Sequence, residues 1–142
     1  MIEIAIDGTA ASGKGTLAKK LAKKYGFVHL DTGLLYRKVA SELIVKKKHT
    51  STNLENYSFE IARNLNFIEL RKENLRSEEI AKLASLIATY PKLREILNSK
   101  QKEFVDNSKT KFHGCILDGR DIGTKILPNA DFKFFIDACI EI

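Results

Sequence analysis

The sequence predicts an α/β fold in which a parallel β-sheet is flanked by helices. Short apolar runs of strand length alternate with segments whose apolar residues recur at helical spacing. A glycine-rich segment joins the first predicted strand to the first predicted helix, and polar residues directly follow two later strands. Because strands separated by helices are joined by right-handed crossovers, the sheet should be parallel, with its ligand residues at the carboxyl ends of the strands.

Local patterns along the chain predict the individual elements. Strands are predicted at residues 2–6, 27–30, 66–70, 112–117 and 132–136, and helices at 17–24, from about residue 34, at 59–65, after Ser77 and from Pro91. Gly26 should end the first helix in a left-handed conformation, Ser77 should act as an N-cap, and Pro91 should occupy a first helical turn. The apolar run 112–117 predicts a strand covered on both faces, and 132–136 predicts a last buried strand.

Composition limits the classes of function. A chain of 142 residues with 44% apolar residues predicts a single globular domain with a core of its own. The net charge of +6 suits a polyphosphate ligand, and since the lysines are spread over helix faces without a nucleic-acid-binding signature, nucleic acid is not expected as a partner. No apolar run has the length of a membrane span, so no membrane association is expected. Cys115 and Cys139 lack metal-binding spacing, which predicts free thiols in a cytoplasmic protein.

Residues 8–16 have the pattern of a phosphate-binding loop between a strand and a helix. Glycines let backbone N–H groups point at an anion, the helix that follows adds the positive end of its dipole, and Lys14 supplies a mobile charge. Gly15 stands where many such loops have the Ser or Thr that contacts magnesium, which leaves open whether Thr16 takes that role. The residues predicted to bind the phosphates of a nucleotide such as ATP are Gly8, Thr9, Ala10, Ala11, Ser12, Gly13, Lys14, Gly15 and Thr16.

Two other interpretations of this segment are weaker. One is an ordinary turn of Gly, Ala and Ser, but the strand, the spacing and the lysine all favour the phosphate loop. The other is the dinucleotide fingerprint G-x-G-x-x-A at residues 13–18, with Asp31 as the ribose-binding acid. That fingerprint would begin well inside the loop and would leave Lys14 without a function.

Further candidate ligands follow the later strands. Asp118 ends an apolar strand, where a carboxylate can hold magnesium, usually through water, although it can also simply start a turn. Arg120 can bind a phosphate with two parallel hydrogen bonds, and Asp121 can accept from sugar hydroxyls or a base amino group. The alternative for that pair is a surface ion pair contributing less than about 1 kcal/mol.

Thr32, Tyr36 and Arg37 offer a hydroxyl, a ring and a guanidinium after the second strand. Arg94 lies in the helix that begins at Pro91. From spacing alone, Tyr36 is more typical of plain packing and Arg94 of an exposed helix charge.

Taken together, these motifs resemble bacterial cytidylate kinases, which are nucleoside monophosphate kinases. The motifs are residues 6–17 around the loop, Leu30-Asp31-Thr32-Gly33 with Tyr36-Arg37, Tyr90-Pro91 with Leu93-Arg94-Glu95, and Asp118-Gly119-Arg120-Asp121-Ile122-Gly123-Thr124. The likeness covers nearly the whole chain, and the motifs outside the loop are the more specific ones. It implies a P-loop NTPase-type fold that transfers the terminal phosphoryl group of ATP to CMP or dCMP with Mg²⁺.

The resemblance also implies roles for individual residues. Lys14, Asp118 and Arg120 would be catalytic, and Mg²⁺ would be held by Thr16 and by Asp118 through water. The residues that would bind CMP are Thr32, Arg37, Arg94, Arg120 and Asp121.

The resemblance raises expectations about what lies beyond these residues. The family continues into an arginine-bearing lid, a last strand and a C-terminal helix, so residues 1–142 should be one incomplete kinase domain, with a monophosphate-binding insertion at about 49–110. Two alternatives stay open. One is a degenerate or split nucleotide-binding fragment, inactive alone and completed by a second polypeptide. The other is a different small-molecule kinase of the same fold.

Overall fold

A computed structural model describes residues 1–9, 12–67, 70 and 74–137. The chain divides into two compact units, one formed by Met1–Thr32 with Gln101–Ile142 and the other by Gly33–Lys100. The strands are β1 (Ile2–Gly8), β2 (Val28–Asp31), β3 (Gly114–Gly119) and β4 (Phe132–Ile136). The helices are α1 (Lys14–Tyr25), α2 (Gly33–Val45), α3 (Leu54–Arg63), α4 (Glu78–Ile87) and α5 (Pro91–Ser108), and a π-helical turn spans Ile122–Ile126.

The first unit is built on a parallel sheet with the strand order β2-β3-β1-β4. β1 pairs with β3 on one side and with β4 on the other, and β2 pairs with β3. This confirms the predicted parallel sheet. The register places Asp118 of β3 beside both Ile6 of β1 and Asp31 of β2, so three carboxyl ends meet at one edge of the sheet.

The core of this unit explains why its elements form where they do. Ile4 and Ile6 of β1 pack with Ala18 of α1 and Ile116 of β3. Every residue of β3 is buried, as predicted for a strand covered on both faces. β3 begins two residues later than the predicted run, and Phe112 lies outside the strand, 40% exposed.

β4 corrects a prediction. It forms at the predicted residues, but it is not buried: Phe132, Phe134 and Phe135 are 52%, 43% and 72% exposed. Within the part of the chain that the structure describes, β4 is the outer strand and its ladder partner is β1 alone. An apolar run therefore indicated a strand correctly, whereas burial depends on which elements cover its faces.

The second unit is helical, and α2 packs against both α3 and α4. Leu35, Val39 and Leu43 of α2 are fully buried, as their helical spacing predicts. The Ser77 hydroxyl accepts a hydrogen bond from Ile80 N at 3.2 Å, which confirms the predicted N-cap.

Two smaller predictions concern the residues at which helices begin or end and the strand predicted at residues 66–70. Gly26 ends α1 with φ 69°, as predicted for a left-handed cap, and α5 begins at Pro91. Of the strand predicted at residues 66–70, Asn66, Phe67 and Leu70 lie outside any strand, and residues 68–69 lie outside the described part. No described helix combines the length and apolar character needed to cross a bilayer.

Candidate functional site

The glycine-rich loop leads from the end of β1 into the start of α1. Gly13 adopts φ 86°, a left-handed conformation that favours glycine, and precedes α1 without a side-chain cap. The first hydrogen bond into the helix joins Leu17 N to Gly13 O at 3.1 Å. The backbone N–H groups of the preceding first turn therefore make no intrahelical bond and can bind an anion, helped by the helix dipole. Ala10 and Ala11 lie outside the described residues.

Two polar groups of the loop support this interpretation. The Ser12 hydroxyl is buried and has no hydrogen-bond partner among the described residues, which is costly unless a ligand or water completes it. Lys14 Nζ donates to the Thr9 carbonyl at 3.2 Å, so the ammonium lies over the loop itself. A polyphosphate would accept hydrogen bonds from the Ser12 hydroxyl and the Lys14 ammonium, so these two groups fit the predicted ligand.

Asp118 lies at the carboxyl end of β3 and is 1% exposed. Its Oδ2 accepts a hydrogen bond from His29 Nε2 of β2. Its carbonyl accepts two more, from Thr32 N at 3.0 Å and from Thr32 Oγ1 at 2.9 Å. Asp118 thus organises the ends of two neighbouring strands, and the Thr32 hydroxyl is held in one orientation.

Gly119 makes this arrangement possible because it lies very close to Thr32. A methyl group at position 119 would lie 1.9 Å from Thr32 Oγ1, far inside any van der Waals contact. Glycine is therefore required at position 119 because the residue packs against Thr32, which is itself predicted to bind the monophosphate. A left-handed backbone is not the reason, since Gly119 does not have a positive φ.

Arg120 and Asp121 are the exposed residues of a turn whose flanks are buried. Asp121 has φ 57°, and its carboxylate lies 4.0 Å from Lys125 Nζ. The turn is held from another strand: the Asp7 carboxylate at the end of β1 accepts from Ile122 N at 2.7 Å and from Gly123 N at 2.9 Å.

The structure thus brings many of the predicted site residues together within the first unit. The loop, Thr32 and the Asp118–Asp121 segment all follow the carboxyl ends of adjacent strands. Arg37 lies in α2, partly buried, and Arg94 lies exposed in the first turn of α5; both belong to the second unit.

A magnesium ion would find few protein ligands here. Among the described residues, no group of three or more His, Cys, Asp and Glu side chains could hold a metal ion. Thr16 is exposed in the first turn of α1, so its hydroxyl is available. The Asp118 carboxylate is buried against His29, and its water-mediated contact with Mg²⁺ stays a prediction. Such a site fits Mg²⁺ that arrives with the nucleotide and keeps several waters.

The Cys115 thiol takes no part in this arrangement. Burial raises the pKa of the Cys115 thiol from 9.0 to about 12, with the negative charge of Glu3 adding to the effect. The thiol is therefore protonated and unreactive at neutral pH, as predicted for a free buried cysteine. Cys139 lies outside the described residues.

Sequence reasoning missed three residues of this region, namely Asp7, His29 and Gly119. The available signal was position: Asp7 and His29 are polar residues at or near the carboxyl ends of strands that are otherwise apolar. Which partners they would find depends on strand order, and the sequence did not reveal that β2 and β1 lie on either side of β3.

Comparisons with known proteins agree with the motifs. The family described as Cytidylate kinase matches residues 4–142. A cytidylate kinase of Bartonella quintana is 49% identical over 138 residues, which are 97% of this chain and 61% of that protein. Those of Bartonella bacilliformis and Acidiphilium cryptum are 47% and 43% identical, over 61% and 63% of their lengths. The chain thus spans about three fifths of the curated relatives it matches. It belongs to the cytidylate kinase family.

Proposed function

We propose that this protein transfers the terminal phosphoryl group of ATP to CMP or dCMP. The observation that carries the proposal is the position of the phosphate loop and of the Asp118–Asp121 segment at the carboxyl ends of adjacent strands β1 and β3. A donor site and an acceptor site on neighbouring strands suit a reaction in which two nucleotides exchange a phosphoryl group.

The loop would hold the phosphates of ATP. Its first-turn N–H groups, the Ser12 hydroxyl and the Lys14 ammonium all favour negative charge. In the proposed step, a phosphate oxygen of CMP attacks the terminal phosphorus of ATP. The bond to the bridging oxygen breaks, and ADP leaves. Lys14 would neutralise charge that develops on the transferred group.

The acceptor would lie against the turn that follows β3. Arg120 would bind the phosphate of CMP, and Asp121 would accept from its sugar or base. The fixed Thr32 hydroxyl would add one more polar contact. Arg37 and Arg94 remain proposed CMP-binding residues, as the family resemblance implies. Because phosphoryl transfer needs little covalent help, holding both nucleotides in line supplies most of the catalysis.

Magnesium would be held by the ATP phosphates, by Thr16 and, through water, by Asp118. When bound, it neutralises charge on the phosphates. The cytoplasmic location predicted from the free thiols stays a prediction.

A coupled assay of ADP release tests the proposal on the 142-residue chain. CMP, dCMP, UMP, AMP and GMP would each be offered with ATP and Mg²⁺, and the turnover is expected to be weak but to favour CMP and dCMP. Equal or faster turnover of AMP or UMP would contradict the specificity and would favour another small-molecule kinase.

Calorimetric titration with ATP and with CMP separates binding from catalysis. Binding of both nucleotides without turnover would favour the predicted fragment that is inactive alone. The comparisons give no support to a second polypeptide that completes it. If neither ATP nor CMP binds, both hypotheses are contradicted, the active kinase and the nucleotide-binding fragment that is inactive alone.

A further inference from the structure

We infer that Asp7 is a positioning residue that fixes the acceptor turn, residues 119–123, relative to the strand that carries the phosphate loop. The inference rests on the proposed function, because it assigns Asp7 to the monophosphate side of that reaction. Asp7 lies in neither of the predicted ligand sets.

The hydrogen bonds of Asp7 have the geometry of a helix cap supplied from a distant strand. Its two carboxylate oxygens accept from consecutive amides, Ile122 N at 2.7 Å and Gly123 N at 2.9 Å. These amides begin the π-helical turn, where backbone donors lack partners within the turn. Asp121, which precedes them, makes no capping bond with its own side chain. The cap is therefore contributed across more than a hundred residues of sequence rather than locally.

The backbone of Asp7 is also held in place, because it pairs with neighbouring strands of the sheet. In the sheet register, Asp7 of β1 lies beside Gly119 of β3. Asp7 thus contacts the acceptor turn at both ends. Its backbone lies beside the first residue of the turn, and its carboxylate accepts hydrogen bonds from the last two. The next residue along the chain, Gly8, begins the phosphate loop, and a methyl group there would lie 2.5 Å from Ile136 O. Asp7 can shift little without disturbing these contacts.

The residues between the two attachment points are those that would contact the monophosphate. Gly119 and Ile122 are buried, whereas Arg120 and Asp121 are exposed. Asp121 has φ 57°, a conformation that non-glycine residues adopt at a cost and that surrounding contacts must stabilise. By holding the next two amides, the Asp7 carboxylate supplies such contacts. The guanidinium of Arg120 and the carboxylate of Asp121 then project from a turn of defined shape.

The test compares Asp7→Asn with a matched control, Asp131→Asn. Asp131 also bonds a backbone amide through one carboxylate oxygen, accepting from Glu3 N at 2.8 Å at the other end of β1. Asparagine keeps the size of each side chain and removes its charge. At position 7 its amide group can accept from only one of the two N–H groups and opposes the other. Affinities for CMP and for ATP would be measured separately by calorimetric titration of the 142-residue chain.

Asp7→Asn is expected to weaken CMP binding about ten- to hundredfold, since charge-assisted hydrogen bonds are lost at the turn. ATP binding should stay within about threefold of the unaltered protein, or tighten, because a negative charge beside the loop is removed. Asp131→Asn should change neither affinity. If Asp7 acted only through its charge, both anions would bind more tightly. If it served only general stability, both would bind more weakly. Either result overturns the inference.

Amide hydrogen exchange provides a readout that does not depend on nucleotide binding. In Asp7→Asn, the amides of Ile122 and Gly123 should exchange at least about tenfold faster, while those of β1 and β3 keep their protection. Unchanged exchange at both amides would overturn the inference even if the unaltered chain binds both nucleotides. If the unaltered chain binds no CMP, the proposed function fails, and the exchange rates alone then decide whether Asp7 fixes the turn.

Discussion

Replacing Gly119 with alanine tests how tightly the acceptor turn packs against Thr32. The new methyl group would lie 1.9 Å from Thr32 Oγ1, so the Thr32 side chain must rotate or the strand must move. Rotation breaks the 2.9 Å hydrogen bond to the Asp118 carbonyl and leaves a buried hydroxyl without a partner. That loss costs about 1–3 kcal/mol, and a strained rotamer adds roughly 0.5–1.5 kcal/mol. We expect Gly119→Ala to lower the free energy of unfolding by about 2–4 kcal/mol.

Urea denaturation followed by circular dichroism would measure this loss, and a double-mutant cycle would assign it. With Thr32→Ala, the closest remaining atoms are Thr32 Cβ at 3.3 Å and Ile122 Cδ1 at 3.4 Å, which are tight but tolerable. Gly119→Ala should then cost less than about 1 kcal/mol, giving a coupling energy above about 1 kcal/mol. Gly15→Ala is the control, because among the described residues its new methyl group meets no atom within 4 Å beyond its chain neighbours and the backbone of its own helix. Additive effects of the two substitutions would refute the reasoning.

Four further predictions address the loop, the helix cap and the buried thiol. Lys14→Met should reduce phosphoryl transfer about 10²- to 10³-fold in the ADP-release assay while CMP affinity stays unchanged; a loss of less than tenfold would contradict the assigned role. Ser77→Ala should lower the free energy of unfolding by about 1 kcal/mol and Ser77→Gly by a few tenths, and equal losses would argue against the cap. In a Cys139→Ser background, iodoacetamide at pH 8 should modify Cys115 at least about a hundredfold more slowly in native protein than in urea. Because the folded-state pKa of Cys115 is raised from 9.0 to about 12, its contribution to stability is complete below pH 9 and is lost as the pH rises toward 12, which urea titrations at pH 8 and pH 10 would detect. Stability that does not change between those pH values in the single-cysteine protein, relative to one that also has Cys115→Ser, would contradict this linkage.

The sequence predicted much of the fold because its signals are local. The helices that begin at Pro91 and after Ser77 follow from residue types whose preferences act within one turn. The burial of β3 also followed, since a continuous apolar run suits a strand covered on both faces. The same reasoning failed for β4, whose exposed Phe135 shows that burial belongs to the surroundings of a strand and not to its composition.

The candidate site was predictable only where a motif is contiguous. Residues 8–16 form a recognisable pattern because all the residues of the predicted phosphate loop lie in one segment. Asp7 and His29 could not be found in this way, since each acts on a residue roughly 90 or more positions away that strand order alone brings into contact. The roles of Arg37 and Arg94 remain predictions.

The left-handed backbone at Asp121 restricts how this position can evolve. Glycine, asparagine and aspartate tolerate φ 57°, whereas a longer or branched residue there costs about 1–2 kcal/mol. Glutamate would keep the negative charge but not this tolerance. The substitutions tolerated at position 121 are thus confined to aspartate, which keeps a short carboxylate, and to asparagine and glycine, which have no charge. If the turn binds a nucleotide as proposed, a change in that nucleotide would therefore come from a loss of charge at residue 121, or from substitutions elsewhere, rather than from a gradual lengthening of this side chain.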